Sequence, residues 1–290
     1  MSCCRCDGKT ECWDDSDEAD CSAIKFSVGY NKFLTPPPEN RDENLRINIS
    51  IKIVDILNID EVAEAFTTRV SIQREWFDSR LTYRNLKTNQ ALNALDADDR
   101  AAIWYPSVVY WNTAHDENIK ATGHKQHEVW SLRRNLNYSY YHGDSSDSHN
   151  VHLFDGAFNH QRLRKQYNIE WICDFDMAWY PFDTQTCTME MYCFNSFTKI
   201  HPNAILYDGP MELTQYFVRS YKICPRIVNE RQGLAVVVIL GRPLMTSILT
   251  IFIPTAFLVM ISQVSQVFED NHKDMVVMVS LTVILVQASL

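Results

Sequence analysis

At 290 residues the chain has room for two or three modules. Its formal net charge of −9, with no basic stretch interleaved with aromatics, argues against a nucleic-acid partner. No phosphate loop, nucleophile elbow or zinc-protease helix is present, so no enzyme is expected.

Residues 3–21 carry seven acids against two bases. The run Cys6-Asp7-Gly8-Lys9-Thr10-Glu11-Cys12-Trp13, continued by Asp14-Asp15-Ser16-Asp17-Glu18-Ala19-Asp20-Cys21, resembles the second half of an LDL-receptor class A repeat. The resemblance implies a small module held by disulfides and one Ca²⁺. Cys6 would pair with Cys21. Asp7, Glu11, Asp17 and Glu18 would offer side-chain oxygens and Lys9 its carbonyl, a donor set suited to a hard cation. Glu11 stands where Asp is usual and the usual partner of Cys12 is missing, so weak calcium binding is expected. The plainer alternative is an acidic, solvated tail.

Residues 22–40 read as a linker ending in the stiff Pro36-Pro37-Pro38. From Leu45 to Ile53 apolar and polar residues alternate without a fault, which predicts a half-buried strand with Asn48 on its wet face. Further short strands are predicted at Phe66–Trp76, Ser107–Trp111, Asn168–Cys173, Thr188–Cys193 and Leu234–Leu240, a spacing that suggests a mainly β, immunoglobulin-like sandwich over 41–242. Residues 113–167 contain long polar connections, notably the surface loop expected at 141–149. Nine cysteines suit an oxidising compartment, and the sequons Asn48-Ile49-Ser50 and Asn137-Tyr138-Ser139 agree with extracellular exposure and glycosylation at Asn48 and Asn137.

Thirteen residues separate Cys173 from Cys187, with Tyr180-Pro181-Phe182-Asp183 between them. Closing such a ring restricts the unfolded chain by roughly 3 kcal/mol, and the tyrosine–proline bond is a candidate for the cis form. This loop resembles the signature of the Cys-loop receptors, the pentameric ligand-gated ion channels. Trp76-Phe77-Asp78-Ser79-Arg80-Leu81, Ile103-Trp104-Tyr105-Pro106-Ser107-Val108-Val109, Gly241-Arg242-Pro243-Leu244 and Pro254 match that family in order.

Residues 243–290 would then begin a transmembrane domain. Leu244–Val267 is 24 residues without a charge, about 36 Å as a helix and enough to cross a hydrocarbon core of about 30 Å. Residues 275–290 would open the pore helix, with Met275, Val279, Thr282 and Val286 facing the pore when read without gaps, a register that aligning Ser280-Leu281-Thr282-Val283 with a common family string shifts by three. Asn271-His272-Lys273 fits neither the cation-channel nor the anion-channel pattern, so charge selectivity stays open. Met1 is followed by no apolar signal core, and Leu290 ends the chain inside an apolar run, which reads as a fragment or truncated isoform.

The resemblance also implies a ligand site between subunits. Trp111 falls at the first-loop aromatic, Phe194 at the second-loop aromatic, Ser71 on the complementary face, and Tyr221 and Arg231 on the third loop. Trp111 and Phe194 have plain core packing as their alternative. The basic flap of Lys222, Arg226 and Arg231 is either a solvated hairpin tip or a holder for an acidic or zwitterionic ligand. Cys193 and Cys224 would either form a second disulfide that fixes the flap or stay as two unpaired cysteines. Coupling to the membrane would run through Glu61, Tyr180, Pro181, Phe182, Asp183 and Arg242, with Glu61 pairing Arg242. Seven of the nine histidines lie between His115 and His160, either a wet loop or a site of proton or zinc modulation.

The reading is a plasma-membrane, multi-pass, postsynaptic-type channel subunit with its N-terminal region extracellular. Its partners would be other subunits, a small-molecule agonist and the lipid bilayer. The alternative is a truncated, non-conducting protein of the same family that binds ligand or sequesters subunits.

Overall fold

The computed structural model describes residues 13, 22–40, 43–114, 120–121, 128–138, 140–142, 152–265, 274 and 277–283. The calcium-module residues Asp7, Lys9, Glu11, Asp17 and Glu18, the Cys6–Cys21 pair, and Met275 and Val286 lie outside them.

The predicted alternation at Leu45 opens β2 (Leu45–Asp60), where Ile47, Ile49, Ile51 and Ile53 point inward and are buried. It pairs antiparallel with β3 (Ala65–Trp76), which pairs in turn with β10 (His160–Ile172), while β12 (Thr198–Tyr207) joins β2 in parallel. With β6 (Lys120–Ala121) and β7 (Glu128–Arg133) these form a six-stranded sheet. A four-stranded sheet runs in the order β13 (Phe217–Val228), β14 (Arg231–Gly241), β11 (Thr184–Cys193), β5 (Val108–Tyr110). The two sheets meet face to face: the Thr68 hydroxyl on β3 lies 3.8 Å from the Met189 sulfur on β11 and accepts from the Trp171 indole at 2.8 Å. This is the expected sandwich. Trp76 sits wholly inside it, packed edge-on against Trp104 and Trp130.

Two stretches differ from expectation. Within the supposed linker, β1 (Ile24–Phe26) pairs with β4 (Leu81–Arg84) in a further four-stranded sheet with β9 (His152–Asp155) and β8 (Tyr141–His142). The Ser22 hydroxyl donates to Asp99 at 2.6 Å, so the fold begins well before residue 41. The region 113–167, expected to contain long connections, supplies β6 to β9 and the first half of β10. His160–Gln166 is polar enough to look like loop because its outward side chains, Arg162 and Arg164 among them, are charged.

The chain divides into two compact units, one of Met1–Cys173, Cys187–Gly209 and Tyr221–Val237, the other of Asp174–Thr186, Pro210–Ser220 and Val238–Leu290. The second holds the helical C-terminal region. There the single helix expected over 244–267 is interrupted: α2 (Leu244–Ser247) runs into a π-helical turn at Ile248–Phe252 and then α3 (Ile253–Ser265). Pro254 explains the break, since it has no N–H and its ring crowds the carbonyl four residues earlier. Among the described residues, no helix is long and apolar enough to cross a membrane. Val279 and Thr282 are helical, and the Thr282 hydroxyl donates to the Met278 carbonyl at 2.7 Å.

Candidate functional site

Trp111 follows β5 directly, its N–H held by the Glu190 carbonyl at 2.8 Å, and Phe194 follows β11 with its N–H on the Ser107 carbonyl at 3.0 Å. Both strand ends deliver their rings to the surface: Trp111 is 49% and Phe194 66% exposed, so neither is core packing. Tyr192, buried between them in the sequence pattern, meets Trp111 edge-on at 6.0 Å. Gly233 lets β14 come in close beneath it, because a Cβ there would stand 2.3 Å from the Met191 carbonyl.

Arg231 completes the cluster. Its guanidinium lies 5.7 Å from the centre of the Tyr192 ring and 5.9 Å from that of Phe194, and it donates to the Phe194 carbonyl. Arg226 pairs with Glu190 at 2.6 Å, tying the β13 end of the hairpin to β11. The basic flap is therefore not simply solvated: two of its three cations have partners on the strand that carries the aromatics. What results is an open aromatic surface with a positive charge fixed over it.

Behind this surface sits a residue the sequence reading missed. Arg74 on β3 is 5% exposed and donates to the Pro106 carbonyl at 3.1 Å and to the hydroxyls of Tyr110 at 3.2 Å and Tyr167 at 3.1 Å. It braces the segment leading into Trp111 from inside the sandwich. Burial pushes the Tyr110 hydroxyl up, partly opposed by Arg74. The signal available in sequence was a cation at an inward position of β3, next to Trp76.

The Cys193–Cys224 disulfide is not formed. Cys193 is buried in the sandwich, where burial pushes its thiol up to about 11 against a hydrogen bond from Thr198 and the charge of Arg74. Cys224 instead turns its sulfur to the Ala235 carbonyl across the hairpin at 3.6 Å. Ser71 lies elsewhere, half-exposed on β3 between Lys52 and Gln166 in the six-stranded sheet, and Tyr221 packs against Tyr207 at 5.6 Å. One chain thus assembles Trp111, Phe194 and Arg231 but not Ser71 or Tyr221. Among the described residues, no group of three or more His, Cys, Asp or Glu is placed to hold a metal.

The Cys173–Cys187 disulfide closes the ring around residues 174–186, a stretch of the second unit in which the Tyr180–Pro181 bond is cis. Asp183 in this loop meets Arg242 through two bonds, 2.9 Å from Nε and 3.1 Å from Nη2. Nη2 also donates to the Tyr216 hydroxyl at 2.6 Å, and the guanidinium lies between the rings of Tyr180 at 4.7 Å and Tyr216 at 4.5 Å. Gln185 donates to Asp183 at 2.6 Å and to the Asp176 carbonyl at 2.8 Å. Burial would raise the Asp183 carboxyl, but the hydrogen bonds from Arg242 and Gln185 and the Arg242 charge hold it below the usual range. The bidentate carboxylate of Arg242 is therefore Asp183 of the loop itself, a pairing the sequence reading did not name; Glu61 lies in the turn between β2 and β3.

On the outer face of the six-stranded sheet, Glu75 takes a bond from Arg162 Nε at 2.7 Å, with Arg133 at 3.7 Å and His160 at 3.6 Å beside it. Burial raises its carboxyl, but His160 and Arg162 together bring it down to about 2. A carboxyl lowered by folding stabilises the fold above its unfolded value and loses that contribution as pH falls through the folded one. Thermal stability should therefore drop between about pH 4.5 and pH 2, and Glu75→Gln should flatten that part of a melting-temperature series.

Comparison with known proteins agrees with this architecture. Residues 23–203 match the neurotransmitter-gated ion-channel ligand binding domain. The gamma-aminobutyric acid receptor subunit pi of Rattus norvegicus is 24% identical over 251 residues, 83% of this chain and 50% of that protein. The neuronal acetylcholine receptor subunit beta-3 of Gallus gallus is 22% identical over 222 residues, 69% of this chain and 37% of that protein. The subunit alpha-4 of Homo sapiens is 26% identical over 181 residues, 60% of this chain and 22% of that protein. The chain spans half or less of the length of these relatives. With a matching domain that covers most of the sandwich, and with the Cys173–Cys187 loop in place, the chain belongs to the neurotransmitter-gated ion-channel ligand-binding domain family, whose members are not enzymes.

Proposed function

We propose that the chain is a subunit of an extracellular ligand-gated ion channel. A small ligand bound at a subunit interface biases a closed–open equilibrium by its differential affinity for the two states. The observation that carries this reading is the exposed pair Trp111 and Phe194, backed by the buried Tyr192 and with Arg231 set against Tyr192 and Phe194. Ser71, absent from that cluster, belongs to the face a neighbouring subunit would present. Arg231, held by a carbonyl and two rings, favours a ligand with a carboxylate, whereas Arg226 is already matched by Glu190. Of the ligands in the relatives' names, gamma-aminobutyric acid carries one and acetylcholine does not.

The helical stretches of 4, 5 and 13 residues follow one another from Leu244 to Ser265 and form the first crossing in this reading, with Val279 and Thr282 on the pore helix. The acidic N-terminal segment is a calcium-binding half-module, and Asp183 with Arg242 joins the Cys loop to the entry of the first membrane helix.

Binding is tested by titrating the chain with an ω-amino acid, a dicarboxylate and choline. The signal is the tryptophan emission lost in Trp111→Phe. The ω-amino acid should quench it, and Arg231→Gln should weaken that binding by about 10–100-fold, the worth of one hydrogen bond to a charge. Choline binding both proteins equally, with no response to the amino acid, would exclude the acidic-ligand reading. Currents evoked in oocytes expressing the chain with candidate partner subunits separate a channel subunit from a non-conducting binding protein.

A further inference from the structure

Both sequons converge on one groove. It encloses about 620 Å³ and is lined by Asn48 of the first sequon and Tyr138 of the second, with Pro37, Pro38, Glu39 and Phe158 among its other walls. A space of this size holds a small ligand of a few rings. The rings of Tyr138 and Phe158 stack at 4.2 Å and 13°, yet they remain 46% and 42% exposed. An apolar platform left open beside amide and carboxylate side chains suits a saccharide, whose C–H faces pack on aromatic rings while its hydroxyls need planar hydrogen-bonding partners.

We infer that this groove seats the first sugars of an N-linked glycan carried by Asn48. Asn48 is partly exposed on the outer face of β2, and its Oδ1 accepts from Arg46 Nε at 3.1 Å. That bond orients the amide and leaves Nδ2 without a hydrogen-bond partner among the described residues. In the attachment step Nδ2 forms the bond to C1 of the first sugar of a lipid-linked oligosaccharide donor. The bond from C1 to the donor diphosphate breaks, one amide proton leaves with that diphosphate, and nothing is oxidised or reduced. Glu39 and Glu43 outnumber Arg46 on the walls, which favours a neutral N-acetylhexosamine over an acidic sugar. Asn137 is exposed, is not among the groove's lining residues and supplies an internal reference. The inference requires secretion but is independent of the ligand site around Trp111.

The test uses the whole chain made in a secretory eukaryotic host. Glycopeptide mapping should find Asn48 occupied, and a peptide N-glycosidase should release its glycan from the folded chain about tenfold more slowly than from the denatured one. The Asn137 glycan should show no such protection. The exposed pair Tyr138→Leu with Phe158→Leu should bring the Asn48 rate up to that of Asn137. An unoccupied Asn48, or equal release at the two sites in the wild-type protein, overturns the proposal without reliance on any variant.

Diacetylchitobiose added at about 10 mM, a concentration comparable to that of a tethered group, identifies the source of the sugar. Shifts of the Tyr138 and Phe158 ring signals confined to unglycosylated Asn48→Gln support the tethered glycan. Equal shifts in the glycosylated wild type would assign the groove to free saccharide, and no shift in Asn48→Gln would remove the sugar seat altogether.

Discussion

Arg242→Ala is expected to destabilise the protein by about 3–5 kcal/mol, because it leaves the Asp183 carboxylate buried without its counter-charge. The Arg242 and Asp183 side chains are 7% and 2% exposed, so water cannot replace the lost bonds. The substitution also removes the bond to the Tyr216 hydroxyl and the contacts with the rings of Tyr180 and Tyr216. Arg242→Lys keeps the charge but loses the fork, and should recover only part of the stability. The contrast is Lys52 with Asp208, 2.8 Å apart but 42% and 56% exposed, where removal of either partner should change stability by about 0–1 kcal/mol.

Urea denaturation of the single and double variants checks this. A double-mutant cycle should return strong coupling between Arg242 and Asp183. In Arg242→Ala the Asp183 carboxyl should no longer titrate below the usual range. The stability it confers in the wild type is present above the ordinary carboxyl value and lost as pH falls through its depressed one. A variant within about 0.5 kcal/mol of wild type would show that this ion pair does not hold the loop.

The second large effect is expected from Cys173→Ser. Both sulfurs of this disulfide are buried, at 3% and 0% exposure, and the bond spans a sequence separation of 14. A ring of this length is worth about 3 kcal/mol in the unfolded chain, within a range of 2–5 for native disulfides of secreted domains. Melting under non-reducing and reducing conditions should separate wild type by that amount and leave Cys173→Ser unchanged between the two. Cys193→Ala should leave the reduction-dependent shift as it is in wild type, since Cys193 forms no disulfide. If Cys193→Ala abolished that shift instead, the assignment of the bond would be wrong.

Local chemistry made much of this protein legible from its residues. Unbroken alternation over Leu45–Ile53 places four isoleucines on one face and specifies a half-buried strand wherever the partners are. Trp76, in a stretch that resembles a motif of the family, lies wholly in the core. Two cysteines bracketing Tyr180-Pro181-Phe182-Asp183 could close a ring with little help from elsewhere. Strands β7, β9 and β10 were harder, because charged outer residues such as Arg162 and Arg164 masked the alternation behind them.

The partners of side chains were a different matter. Alternation assigns a residue to a face but does not say which strand lies opposite, and that is set by the stacking of one sheet on another. Only the tertiary structure could put Arg74 under Tyr110 and Tyr167, leave Cys193 and Cys224 apart, and add Tyr192 to Trp111, Phe194 and Arg231. It likewise gave Arg242 to Asp183, a residue 59 positions away in the chain and a pairing the sequence had not suggested. Periodicity is a property of consecutive residues and survives in the sequence. Pairing across a core depends on how sheets and turns bring distant residues within hydrogen-bond reach, and for that the chain has to be folded.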